Sequence, residues 1–269
     1  MVAQNILSRL EEESIFVIRE AVSSFDKIAM LFSGGKDSTV LLHLAAKAFT
    51  PSLLPFSLLH IDTGYNFPEV ESFLLEIAEK HSIQMFRFKV PSQKAENINR
   101  AQSHVLKEAV AGLELDALLG GARRDEDAAR AKEKFFSRRN GNSEWNPEDQ
   151  VAEFWNITTC QCLPNQHYRV FPLNNWRERD IWSYIQQENI NLPSLYYAHQ
   201  RTVSPLGNQR VRCRTMGDQL TTTFHPSEAQ NSKEVLEELL ESELSERSGR
   251  LDDNFSCFSM EIRKREGYF

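Results

Sequence analysis

An apolar run, a turn of small residues and a helical repeat succeed one another between Ile28 and Ala48, and no other stretch narrows the possible folds as much. Ile28, Ala29, Met30, Leu31 and Phe32 have the length of a buried strand and stop at Ser33. Ser33, Gly34, Gly35, Lys36, Asp37 and Ser38 make the turn. Val40, Leu41, Leu44, Ala45 and Ala48 then recur at helical spacing. A strand leading through glycines into a helix is how α/β proteins gather backbone N–H groups around an anion. Gly34 and Gly35 allow positive φ and a close approach of backbone to ligand. Asp37, Ser38 or Thr39 is expected to cap the helix, and Lys36 adds a mobile positive charge. The turn is therefore the candidate site for a phosphate chain.

Strands and helices continue to alternate downstream. Ile6 to Val22 carries helical periodicity ahead of the first strand, and Phe56 to Ile61 reads as a second buried strand. Pro68 to Lys80 is a predicted helix with Val70, Phe73, Leu74 and Ile77 on one face. Ile83 to Val90 follows as a strand, Asn97 to Val110 as a helix, and Leu115 to Leu119 as a short strand ending at Gly120 and Gly121. This order predicts a doubly wound, mostly parallel α/β sheet with helices on both faces. Tyr168 to Leu173 should add the next strand. Asn175 to Ile185 should form a capped helix that buries Trp176, Ile181, Trp182 and Ile185. With 269 residues, 41% of them hydrophobic, the chain can hold one large domain and an extension. We set these at 1–195 for the α/β domain and 196–269 for a partly irregular C-terminal extension with an acidic helix, Ser232 to Leu244, and a basic, aromatic tail. Asn140 to Cys162 lacks a period and reads as an irregular loop or lid.

Several polar residues fall where such a sheet places its ligands. Asp62 ends the second strand, either as a ligand for Mg²⁺ or a nucleotide hydroxyl or as a turn carboxylate before Gly64. Arg123 and Arg124 leave the fourth strand on the edge shared with the glycine turn, and their planar forks suit phosphate or sulfate oxygens. From Asp125 onward we expect a helix whose Lys132, Lys134, Arg138 and Arg139 form a solvated, salt-bridged face. Arg210, Arg212 and Arg214 alternate, so in an extended segment all three face one way, toward solvent or an anion. The four cysteines include one close pair, Cys160 and Cys162, whose Cys-x-Cys spacing is not the common metal or redox spacing, and free thiols are expected. A net charge of -7 argues against broad attraction to nucleic acid. No apolar run reaches membrane-span length and no signal-peptide pattern opens the chain, so a cytoplasmic location is expected.

The turn is not a Walker A loop, because Asp37 separates Lys36 from the hydroxyl residues. Ser33-Gly-Gly-Lys-Asp-Ser38 instead resembles the PP-loop of ATP pyrophosphatases, which cleave ATP between its α and β phosphates. Leu59 to Gly64, Gly120 to Glu126, Arg169 to Trp176, Arg212 to Gly217, Ser245 to Arg250 and Arg263 to Phe269 follow in order. The whole series resembles the family of small, PP-loop subunits of bacterial sulfate adenylyltransferase. That resemblance implies an adenine nucleotide alpha hydrolase-like fold and the conversion of ATP and sulfate to adenosine 5′-phosphosulfate and pyrophosphate. It implies Mg²⁺ as cofactor and a larger GTPase subunit as partner, with nucleic acid and membrane excluded. It makes Lys36, Arg123 and Arg124 the candidate catalytic residues. Ser33, Gly34, Gly35, Lys36, Asp37, Ser38, Asp62, Arg212, Arg214 and Arg250 become candidate nucleotide-binding residues, with Asp62 also the metal ligand. Two other readings remain open at this level: a PP-loop enzyme with another acceptor or with sulfur transfer through Cys160 and Cys162, and an ATP-binding regulatory subunit without turnover.

Overall fold

A computed structural model describes residues 2–91, 95–150, 166–203 and 207–241. Strands β1 (Ile28–Leu31), β2 (Ser57–Asp62), β3 (Met85–Lys89), β4 (Ala117–Leu119), β5 (Phe136–Arg139) and β6 (His167–Val170) form one sheet in the order β3-β2-β1-β4-β6-β5. Every pairing in it is parallel except that of β5 with β6. Successive strands step to one side of β1 and then jump to β4 on its other side. That reversal opens a crevice at the carboxyl ends of β1 and β4, where doubly wound sheets bind ligands. The fold is adenine nucleotide alpha hydrolase-like.

Strand alternation divides the core between the two faces. Met30, Leu58, Leu119 and Val170 pack with α1 (Val2–Ser24), α2 (Lys36–Phe49), α3 (Pro68–Lys80) and α5 (Glu178–Glu188). Ala29, Leu59 and Leu118 face α4 (Ala95–Gly112) through Leu106, Ala109 and Val110. Trp176, Ile181, Trp182 and Ile185 are buried, as the apolar spacing of their segment predicts, and Tyr184 is buried with them. Among the described residues, no helix is long and apolar enough to cross a membrane.

Two stretches depart from the sequence reading. The segment after Asp125 is not an α-helix: Arg130–Lys132 makes a single 3-10 turn and Phe136–Arg139 becomes the antiparallel edge strand β5. Nor is its basic face solvated throughout. Arg139 is fully buried against Glu133 at 3.0 Å, and Arg138 pairs with Asp149. Pairing with β6 overrode a charge spacing that imitates helical i,i+4 pairs. In the extension, β7 (His199–Val203), β8 (Gly207–Cys213) and β9 (Phe224–Pro226) form a small antiparallel sheet, followed by α6 (Ser232–Glu241). The acidic helix was foreseen over Ser232 to Leu244, but of the sheet only an extended 210–214 segment was. Cys160, Cys162, most of the expected lid, Arg250 and the basic tail lie outside the described residues.

Candidate active site

The glycine turn joins β1 to α2 as its sequence requires. Gly34 has φ +74°, a conformation that side-chain-bearing residues resist. Helix α2 begins at Lys36 with Gly35 as its N-cap, and no side chain caps it. The expected capping by Asp37, Ser38 or Thr39 does not occur. The Ser38 and Thr39 hydroxyls both donate to the Gly35 carbonyl, each at 2.9 Å. With glycine at the N-cap, the lack of a side-chain cap costs only about a few tenths of a kcal/mol. Burial offsets it, because Val40, Leu41 and Leu44 are fully buried and each such side chain stabilises by about 1.5–3 kcal/mol. Packing rather than capping therefore holds the helix, and its N-terminal dipole is left for an anion. The Lys36 N–H donates to the Tyr196 hydroxyl at 2.9 Å, so a residue distant in sequence pins the start of the helix.

The arginine turn meets the glycine turn through one carboxylate. Asp37 accepts from Lys36 Nζ at 2.9 Å through Oδ2 and from Arg123 Nε at 2.7 Å through Oδ1. Lys36 and Arg123 are both buried. The contact requires β4 to exit hard against α2. A Cβ on Gly121 would lie 3.0 Å from the Asp37 carbonyl carbon and 3.1 Å from Ser38 N, so any side chain there would press on the start of α2. Arg124 turns the other way. Its Nε donates to the Glu133 carbonyl at 2.8 Å, an Nη donates to Asn175 at 2.7 Å, and its guanidinium lies over the Phe135 ring.

A cavity of about 300 Å³ opens between these turns. Ser33, Lys36, Asp37 and Ser38 line it from one side, and Gly120, Gly121, Glu126 and Arg130 from the other. Leu31, Leu59 and Leu118 from the sheet and Leu106 from α4 give it an apolar wall. Arg169 lies on the β6 side, level with Leu118 on the next strand. Arg130 is ion-paired to Glu126. His60 also lines the cavity, its Nδ1–H donating to the Phe32 carbonyl at 2.9 Å. Burial lowers its pKa, so the ring is neutral and its Nε2 accepts from Asn66 at 3.1 Å.

A domain model for the phosphoadenosine phosphosulfate reductase family matches residues 27–223, from just before β1 into the segment that precedes β9. Sulfate adenylyltransferase subunit 2 of Mycolicibacterium vanbaalenii is 43% identical, across 98% of this chain and 94% of that protein. The protein of the same name from Shewanella woodyi is 41% identical across 99% of both chains. The chain belongs to the sulfate adenylyltransferase subunit 2 family. Among solved structures, Candida glabrata FMN adenylyltransferase superposes with a TM-score of 0.57 at 17% identity, covering 93% of this chain and 89% of that one. Phosphoadenylyl-sulfate reductase from Candida auris superposes with a TM-score of 0.50 at 17% identity, covering 82% and 97%. Both likenesses concern the fold alone.

Of the site residues expected for a subunit 2 family member, the structure brings Ser33, Gly35, Lys36, Asp37 and Ser38 to the cavity, with Gly34 completing the turn and Arg123 held on Asp37. The cavity lining does not include Asp62. Its Oδ1 accepts from Gly64 N at 2.8 Å and from Asn66 at 3.3 Å, the turn-carboxylate alternative. Arg212 and Arg214 are not in the lining either. They meet carboxylates of their own chain, Glu238 at 2.9 Å and Glu178 at 2.6 Å, while Arg210 pairs with Glu228 at 2.8 Å. Cys213 is buried and its thiol is pushed up to about 12, chiefly by burial, so it is no nucleophile at neutral pH.

Among the lining residues that escaped the sequence reading as members of the site are Arg130, Arg169, Tyr196 and Asp218. Only Arg169 carried a signal, being a charged residue inside a strand otherwise built for burial. Among the described residues, no group of three His, Cys, Asp or Glu side chains is gathered for a metal. Asp218 is the carboxylate that best fits Mg²⁺. It is buried, its Oδ1 accepts from the N–H groups of Leu220 and Thr221 and from the Thr221 hydroxyl, and its Oδ2 has no hydrogen-bond partner among the described residues. Mg²⁺ that is held largely by phosphates and water needs only one or two protein carboxylates.

Proposed function

We propose that this chain is the adenylyl-transferring subunit of a sulfate adenylyltransferase, converting ATP and sulfate to adenosine 5′-phosphosulfate and pyrophosphate. The observation that carries the reading is the single Asp37 carboxylate holding Lys36 and Arg123 together at an uncapped helix N-terminus in the crevice of the sheet. The names of the subunit 2 relatives support sulfate as the acceptor.

A sulfate oxygen attacks the α phosphorus, forming a new O–P bond. The bond from the α phosphorus to the bridging oxygen breaks, and its electron pair leaves with pyrophosphate. Sulfate is already an anion at neutral pH, so no residue has to remove a proton. The need is for positioning and for charge neutralisation on the leaving oxygen. Lys36 and the first turn of α2 provide that charge, and Arg123 fixes the carboxylate that orients Lys36. Mg²⁺, held by the nucleotide phosphates and Asp218, would neutralise phosphate charge. The apolar wall of Leu31, Leu59 and Leu106 suits the adenine ring. Sulfate activation is uphill, and we assign its drive to GTP hydrolysis on a larger partner subunit. Support comes from the relatives' "subunit 2" names and from a loop in this chain that lacks the Walker A pattern.

Incubating the chain and its GTPase partner with ATP, Mg²⁺ and GTP, with and without sulfate, tests the proposal. Pyrophosphate release that depends on sulfate and rises with GTP is the expected result. Release that ignores sulfate would assign the site another acceptor, and ATP binding without release would make the chain a regulatory subunit.

A further inference from the structure

The cations around the cavity differ in one respect. Lys36 has Asp37, Arg130 has Glu126, and Arg139, just behind the lining on β5, has Glu133. Arg169 has none. It is fully buried, it lines the cavity, and none of its three guanidinium nitrogens has a hydrogen-bond partner among the described residues. Leaving a buried charge unpaired is among the costliest arrangements in a protein, and groups so placed usually serve a ligand. Arg169 also keeps its charge. Burial, reinforced by the nearby Arg139, pushes its pKa down to about 9, which still leaves it protonated at neutral pH.

The surroundings fix the sign of the missing partner. Arg169 lies opposite Ser137 in the β5–β6 pairing, with Arg139 and His167 one pair further along on the same face. His167 is held neutral, its pKa lowered to about 2 by burial and then by Arg169 and Arg139. Glu133, the carboxylate that pairs with Arg139, is also taken by the Ser137 hydroxyl. Lys36 belongs to the turn after β1 and Arg169 to β6, two strands away across β4. Two strand spacings are about 10 Å. Two anions can therefore occupy the cavity together, one on the glycine turn and one on Arg169, as a leaving diphosphate and an incoming oxyanion must.

We propose that Arg169 binds the acceptor oxyanion, sulfate, and holds it for attack on the α phosphorus. This rests on the adenylyl-transfer reading above and gives Arg169 the role that the sequence assigned to Arg123 and Arg124, of which Arg123 is held on Asp37 and Arg124 faces Asn175. A planar, weakly hydrated guanidinium can donate to two oxygens of a tetrahedral anion at once and screens its repulsion from the nucleotide phosphates.

The test is a steady-state comparison of wild type, Arg169→Gln and Arg169→Lys in the assembled complex, varying sulfate and ATP separately. In Arg169→Gln the KM for sulfate should rise at least tenfold while the KM for ATP stays within twofold. Arg169→Lys keeps the charge but loses the fork, and should fall between Gln and wild type in sulfate KM with ATP KM unchanged. Because the site is buried, the lysine variant decides the question if the glutamine variant does not fold. Equal rises in both KM values would make Arg169 a nucleotide or structural residue and overturn the inference, as would an unchanged sulfate KM in either folded variant. A wild type whose pyrophosphate release ignores sulfate would instead overturn the functional reading on which the inference stands.

Discussion

The glycine turn after β1 and the basic segment between β4 and β6 face each other across one cavity, yet they are built on opposite terms. In the first, local sequence settles nearly everything. A strand-length apolar run, glycines and a helical repeat place Lys36 within a few residues of the elements that hold it. In the second, five arginines stand between residues 123 and 139 and a sixth at 169, and nothing local tells them apart. Their roles come from partners far along the chain. Arg123 finds Asp37, Arg124 finds Asn175, and Arg169 finds no carboxylate among the described residues. An arginine's function here is set by which carboxylate reaches it.

Substitutions on the two sides of the cavity should therefore fail differently. The largest effect belongs to the locally built side. Lys36→Ala should lower sulfate-dependent turnover about 100- to 1000-fold, the scale of losing one preorganised donor to a developing negative charge, while circular dichroism shows an intact fold. Unchanged turnover would remove the loop from the mechanism. Cutting the link between the sides comes next. Asp37→Asn keeps an acceptor oxygen but removes the charge shared by two buried cations, and should cost about 1–3 kcal/mol in urea unfolding. No loss would mean that Glu126, 3.5 Å from Arg123, suffices as its counterion.

The third test uses pH. Folded His167 stays neutral because its pKa is pushed down to about 2, whereas the unfolded side chain titrates near 6.5. Below that value the unfolded chain takes up a proton that the folded chain refuses, so stability falls as pH falls. The slope from this group reaches at most about 1.4 kcal/mol per pH unit. Urea unfolding between pH 6.5 and 5 should be less pH-dependent in His167→Gln than in wild type, and equal slopes would show that His167 is not kept neutral. The smallest effect is expected at Arg124, whose contacts lie outside the cavity. Arg124→Ala should change turnover less than about threefold, as for other partly exposed contacts. A hundredfold loss would bring it back into the site.

The same contrast explains what could be read in advance. Helix α3 was legible to its ends, since Pro68 marks its start and Val70, Phe73, Leu74 and Ile77 keep one period. The order of the parallel strands and the glycine turn were legible for similar local reasons. The stretch after Asp125 was not. Asp127, Arg130 and Lys134 sit at helical spacing, but the chain is committed by the pairing of Phe136 to Arg139 with β6, a contact about thirty residues away. Tyr196 was invisible as well, because its tie to the Lys36 N–H spans 160 positions. Arg169 stood out as a charge inside a buried strand, but nothing in its own segment told its role from that of the other arginines. Only a census of partners sets it apart.

Asp37 serves two cations at once, Lys36 and Arg123. A ligand that draws Lys36 toward its own phosphates leaves the carboxylate to Arg123 alone and tightens that remaining contact. Occupancy of one turn is then felt at the root of the next strand without any hinge or lid, by the reassignment of a single negative charge.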